Sequence, residues 1–135
     1  MTGSDQEQAA SEADGRKRLL EAAGESIPRA PWRHGAQPPP AVDLIQFAAW
    51  QARNSRLSRA DLLAALALLP AARAEVDQLE AAVLSAARAD GLSWSRISLA
   101  MGLQSPQAAQ QRLGRVAGRA SRVSGRTAGD LPVRA

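Results

Sequence analysis

Three glutamines and a run of arginines carry the most specific side-chain chemistry in this 135-residue sequence. Gln107, Gln110 and Gln111 lie close together, and Arg112, Arg115, Arg119, Arg122 and Arg126 follow at steps of three, four, three and four. A glutamine amide places a donor beside an acceptor, the arrangement that pairs with N6 and N7 of adenine. A guanidinium is a permanently charged fork of donors that suits phosphate oxygens. Ser105 stands just ahead of the glutamines, where its hydroxyl and the free N–H groups of a helix start also suit a phosphate. Glutamine is equally an ordinary helix-surface residue, and arginine an ordinary solubilising one. Their meaning therefore depends on the elements that aim them.

The spacing predicts two short helices joined by a tight turn. In Leu92-Ser93-Trp94-Ser95-Arg96-Ile97-Ser98-Leu99-Ala100-Met101, Ser93 has the place of an N-cap, and Trp94, Ile97, Ala100 and Met101 form an apolar face. Gly102 sits where the chain must turn, a position that favours positive φ, and Leu103 is the buried residue of the turn. Ser105 caps the next helix, with Pro106 at its first position, where the missing N–H costs nothing. Ala109, Leu113 and Val116 give this helix a narrow inward face, leaving Gln107, Gln110 and Gln111 outside. The pattern fits a helix-turn-helix over residues 91–118, with a recognition helix over about 106–117 in a DNA major groove. Arg96, Ser105, Gln107, Gln110, Gln111, Arg112, Arg115 and Arg119 are the expected contacts, the glutamines to bases and the others to the backbone.

Upstream, residues 41–90 read as a helical scaffold. A helix is expected from about Val42 to Asn54, with Asn54-Ser55 as its stop. Ser58-Arg59-Ala60-Asp61 has capping-box spacing and starts a second helix, which Pro70 interrupts before Ala71 to Asp90 and the Gly91 cap. Leu62, Ala65, Leu69, Ala72, Val76, Leu79, Val83 and Ala86 keep alternating steps of three and four across that proline. Such phase continuity fits a kinked long helix, or two helices sharing one seam, and the seam serves either as core or as a homodimer contact. Residues 1–40, acidic and then proline-rich up to Pro38-Pro39-Pro40, read as a disordered arm, and residues 119–135 as a flexible basic tail. Leu19, Leu20, Ala22 and Ala23 are expected to form no more than a transient turn.

Charge sharpens this division. Residues 1–40 and 41–90 each carry five basic and six acidic side chains, a net of −1, whereas residues 91–135 carry seven arginines against Asp130, a net of +6. A one-ended positive field suits a polyanion, because neutralised phosphates release counterions. The composition, rich in Ala, Leu and Arg with one Phe and no Tyr, favours an all-α fold. With no cysteine there is neither a disulfide framework nor a thiolate metal site, and no apolar run reaches the roughly 18 residues of a membrane span. The N-terminus lacks the basic-then-apolar order of a signal peptide, so a cytoplasmic, nucleoid-associated protein is expected.

Other chemistry has thin support. His34 is the single histidine and lies in the proline-rich stretch. Glu75, Asp77 and Glu80 read as a solvated helix face. The tail glycines form no phosphate loop, for no strand precedes them and no Gly-Lys-Ser/Thr follows. Trp94 reads as a core anchor, and Trp32 as an unstructured aromatic or a docking residue. With no nucleophile–base pair or metal constellation, neither an enzyme nor a cofactor is expected.

Over Asp61 to Arg115, about 40% of the chain, the sequence resembles small actinobacterial helix-turn-helix proteins described as regulators of a small heat-shock protein. The residues that carry the resemblance are Gly91-Leu92-Ser93-Trp94, Met101-Gly102-Leu103 and Ser105-Pro106-Gln107-Ala108-Ala109-Gln110-Gln111-Arg112. It implies a tri-helical domain akin to the promoter-reading region 4 of sigma factors. Two features depart from that family: Arg96 and Ile97 stand where it usually has an acidic residue, and Pro106 replaces a usual basic one. The expectation is thus an all-α helical bundle that binds double-stranded DNA, with a homodimer and RNA polymerase or a sigma factor as further partners. A protein-interaction module that uses the same fold without touching DNA is the competing expectation.

Overall fold

The computed structural model describes residues 3–128 apart from 32, 34 and 55, and side chains as far as residue 118. Among these residues the chain is all-helical: α1 (Gly3–Ala23), a 3-10 turn (Gly24–Ser26), α2 (Ala41–Arg53), α3 (Arg59–Ala89), α4 (Trp94–Met101) and α5 (Pro106–Ala128). The all-α expectation is met. The chain divides into two compact units, Met1–Glu75 and Val76–Ala135, with the division falling inside α3.

In the first unit the reading of residues 1–40 as disordered is corrected over residues 3–26, which are helical. Residues 3–23 form a helix that packs on α2, and its Leu19 is fully buried in a core with Ala41, Leu44, Ala48, Ala64 and Leu68. Low apolar content concealed it. The segment is built mainly of Ala, Glu, Gln, Arg and Leu, which form helix readily, so a few apolar anchors suffice to hold it. Gly15 provides the closest approach, since a Cβ there would lie 2.8 Å from the Ala64 carbonyl oxygen on α3. Arg18 then pairs with Asp61 at 2.5 Å, and the Arg16 guanidinium donates to the Pro39 carbonyl at 3.0 Å.

Helix α2 lacks a side-chain cap of its own, because its N-cap is Pro40. Glu75 takes that role from a distance: its carboxylate accepts the N–H of Ala41 at 2.6 Å and of Val42 at 3.1 Å. Two donors that would otherwise be orphaned at the helix start are satisfied by one anion, which also favours the positive end of the dipole.

Helix α3 is continuous through Pro70, so of the two arrangements left open by the sequence the single long helix is observed. The proline is exposed, while Leu68 beside it is fully buried and Ala71 and Ala72 pack on the same core, so packing offsets the missing hydrogen bond. Ser58 accepts the Asp61 N–H at 3.2 Å, as an N-cap should. The seam expected from Leu62 to Ala86 is core only in part: Ala65 and Ala72 pack on the first unit's core, whereas Leu62, Val76, Leu79 and Val83 do not. These four are about half to two-thirds exposed, whereas Ala64 and Leu68 are buried in the first unit and Leu84 in the second. Nearly the whole circumference of α3 is apolar, and periodicity alone could not select the stripe that its neighbours cover.

In the second unit, α3 from Val76 onward joins α4 and α5 around Leu84, Ile97, Ala109 and Val116. Trp94, Met101, Leu103 and Leu113 pack on this core half-buried. Two left-handed glycines set the path. Gly91 (φ 88°) closes α3 and Gly102 (φ 70°) closes α4. At each end a six-residue loop is bridged, by Leu92 N–H to the Ala87 carbonyl and by Leu103 N–H to that of Ser98, the pattern of a Schellman cap. No described helix is long and apolar enough to cross a membrane.

Candidate nucleic-acid interface

The chemistry singled out from sequence is collected on α4, α5 and the turn between them. Ser93 caps α4, its hydroxyl oxygen accepting the Arg96 N–H at 3.1 Å, and Ser105 caps α5 in the same way, accepting from Ala108 at 3.2 Å. Each serine fixes the direction in which its helix leaves the loop. On α4, Ile97 and Ser98 are buried, the Ser98 hydroxyl donating to the Ser95 carbonyl at 3.0 Å. Ala100, expected on the apolar face, is exposed. Arg88 lies over the Trp94 ring at 4.8 Å and donates to the Leu92 carbonyl at 2.8 Å, which fixes the start of α4 from the end of α3. Trp94 is thus a cation-capped, half-buried anchor.

Helix α5 turns Ala109 and Val116 fully inward, and Leu113 partly, as expected. Gln107, Gln110 and Gln111 are exposed. Gln107, Gln111 and Arg115 follow at steps of four, forming an exposed row of two amides and a guanidinium with Gln110 beside it. Arg96 is exposed on α4. Ser105 is half-buried, with its oxygen engaged by the helix start. Arg119 lies on α5, its side chain outside the described residues, as are those of Arg122 and Arg126. The helix itself continues to Ala128, so the flexible tail expected from residue 119 is helical over its first ten positions, and residues 129–135 lie outside the described residues. The repeat of apolar residues at Leu113, Val116, Ala120 and Val123 supports this longer helix despite Gly114 and Gly118.

Arg112 behaves differently from its neighbours. Its Nε donates to the Glu80 carboxylate at 2.8 Å, and both side chains are partly withdrawn from solvent. Of the three acids read as a solvated face, none is free: Glu75 caps α2, Glu80 holds Arg112, and Asp77 also has a partner. Sequence reasoning missed the Glu80–Arg112 pair because its members are 32 positions apart. It also missed Leu99, which is 78% exposed on α4, where an amphipathic pattern gives no reason to expect a bare leucine.

Among the described residues no cluster of His, Asp or Glu could hold a metal ion, and His34 and Trp32 lie outside them. The exposed set offers instead hydrogen-bonding amides and permanent positive charge. Comparison with family models, curated proteins and solved structures gives no match to this chain.

Proposed function

We propose that the protein binds double-stranded DNA through a helix-turn-helix formed by α4 and α5, with α5 in the major groove, and acts as a transcriptional regulator or nucleoid-associated protein. The observation that carries this reading is the exposed row of Gln107, Gln111 and Arg115, with Gln110 beside it, on the one helix whose opposite face is sealed by Ala109 and Val116. Such a helix is anchored on one side and polar on the other, as a groove-reading helix must be. The local charge supports the same partner, because residues 91–135 hold seven arginines and one acid.

The roles divide by chemistry. Gln107, Gln110 and Gln111 read base edges, where an amide distinguishes adenine by its N6 and N7. Arg96, Arg115 and Arg119 hold phosphates and set register, and the α5 N-terminus behind Ser105 contributes backbone N–H groups. Arg112 is available to DNA only after it leaves Glu80. The resemblance to sigma-factor-like regulators agrees with this division, while Pro106 takes away one basic contact that such proteins make.

Replacing both Gln110 and Gln111 with Ala tests the assignment. Binding to sites selected from random duplexes is expected to fall about tenfold or more, since each lost base contact costs about 1–3 kcal/mol. Weak, salt-sensitive binding to mixed sequence is expected to remain. An equal fall on all sequences would remove the glutamines from base reading.

A further inference from the structure

Between α2 and the first half of α3 runs an apolar groove of about 180 Å³. Its lining is entirely apolar, with Ile45, Ala48 and Ala52 from α2 facing Leu62, Leu66 and Leu69 from α3. Leu62 and Leu66 are 45% and 59% exposed along its α3 side. Burying one such side chain completely is worth about 1.5–3 kcal/mol, so leaving both half bare on adjacent turns is a substantial standing cost. Two parallel walls of small and branched side chains are also the shape that accepts the apolar face of a further helix.

The charge around one end narrows the occupant. Arg53 follows Ala52, Arg56 precedes Leu57, and Arg59 stands one turn before Leu62, so three arginines flank the groove where α2 gives way to α3. All three are exposed, and none makes an ion pair among the described residues. The carboxylates of α3 within this unit are already engaged, Asp61 by Arg18 and Glu75 by the α2 backbone. A second copy meeting this groove with the same face would therefore bring its own Arg53, Arg56 and Arg59 to the rim, and no unengaged α3 carboxylate of this unit. An oppositely charged partner fits where a like-charged one is disfavoured.

We propose that the α2–α3 groove receives an amphipathic helix of another protein, apolar along one face and acidic at the end that meets Arg53, Arg56 and Arg59. Nothing on α5 enters into this assignment, so it stands or falls separately from DNA binding.

Two labelled synthetic helices, each about 18 residues or five turns long, provide the probe. Both carry leucines at i, i+3, i+4 and i+7; one has glutamates beside them and the other lysines. Fluorescence anisotropy against the full chain is expected to give saturable binding of the acidic helix, about tenfold or more tighter than the basic one and weakening as salt is added. Leu66→Asp, at an exposed position whose fold is checked by circular dichroism, is expected to lose that binding. Reversing Arg53, Arg56 and Arg59 to Glu should invert the preference between the two helices. Equal affinity for both helices, or binding of neither, overturns the proposal. So does sedimentation showing a dimer that Leu66→Asp dissociates, for the occupant is then a second copy.

Discussion

Glu75 and Glu80 stand five positions apart on α3, the first at the end of one compact unit and the second inside the other, and they hold very different partners. Glu75 closes on backbone N–H groups of Ala41 and Val42, donors fixed in place that have no other protein acceptor at that helix start. Glu80 closes on the side chain of Arg112, a cation on a flexible stem that is still 44% exposed. The first is a structural cap. The second is a partly exposed ion pair, which in the proposed function gives way to a phosphate. The same acid on the same helix thus stabilises one unit and restrains the proposed binding surface of the other.

Breaking each contact separates the two roles. Glu75→Ala is expected to cost about 1–2 kcal/mol, the usual penalty for losing an N-cap, read from urea unfolding, with DNA affinity unchanged. Glu80→Gln should alter stability by less than about 0.5 kcal/mol, since half-exposed pairs contribute little. It should nevertheless raise affinity for mixed-sequence DNA several-fold and steepen the salt dependence by up to about one unit, as Arg112 becomes free to meet a phosphate. A fall in affinity would show that Glu80 positions Arg112 rather than withholding it.

The glycines extend the contrast between the units. Gly15→Ala places a Cβ against the α3 backbone and is expected to cost about 1 kcal/mol net, the clash exceeding the gain in helix propensity. Gly114 on α5 has nothing within 4 Å of an added Cβ, so Gly114→Ala should stabilise by up to about 1 kcal/mol. Thermal unfolding of both variants checks the opposite signs. Smallest is the acid response of the first unit. The Arg18 guanidinium, aided by hydrogen bonds from Ser58 and opposed by partial burial, holds the Asp61 carboxyl below its ordinary 3.8. The stabilisation is therefore complete above that value and is lost as pH falls through the lowered one; Arg18→Gln should flatten this acid limb of the stability profile.

What the sequence revealed follows the range of the interactions. Ser93, Gly102, Ser105, Ala109 and Val116 were legible because caps, left-handed turns and helical faces are written within a few residues. The exposure of Gln107, Gln110 and Gln111 followed from the same local periodicity. Helix α1 was not legible, because the contacts that order it, Gly15 with Ala64 and Arg18 with Asp61, join residues more than 40 positions apart. The bare stripe of Val76, Leu79 and Val83 escaped for a related reason: an almost wholly apolar helix does not say which side its neighbours will cover. The withdrawal of Arg112 depended on Glu80, a residue with no local sign of its role.

The claim that α5 and its arginines face a polyanion is tested most directly by titrating the full chain with a mixed-sequence duplex across a range of salt. The logarithm of affinity is expected to fall linearly with the logarithm of salt, with a slope of about −3 if Arg96, Arg115 and Arg119 each neutralise one phosphate. Failure to bind at low salt, or an affinity that salt does not change, would contradict it.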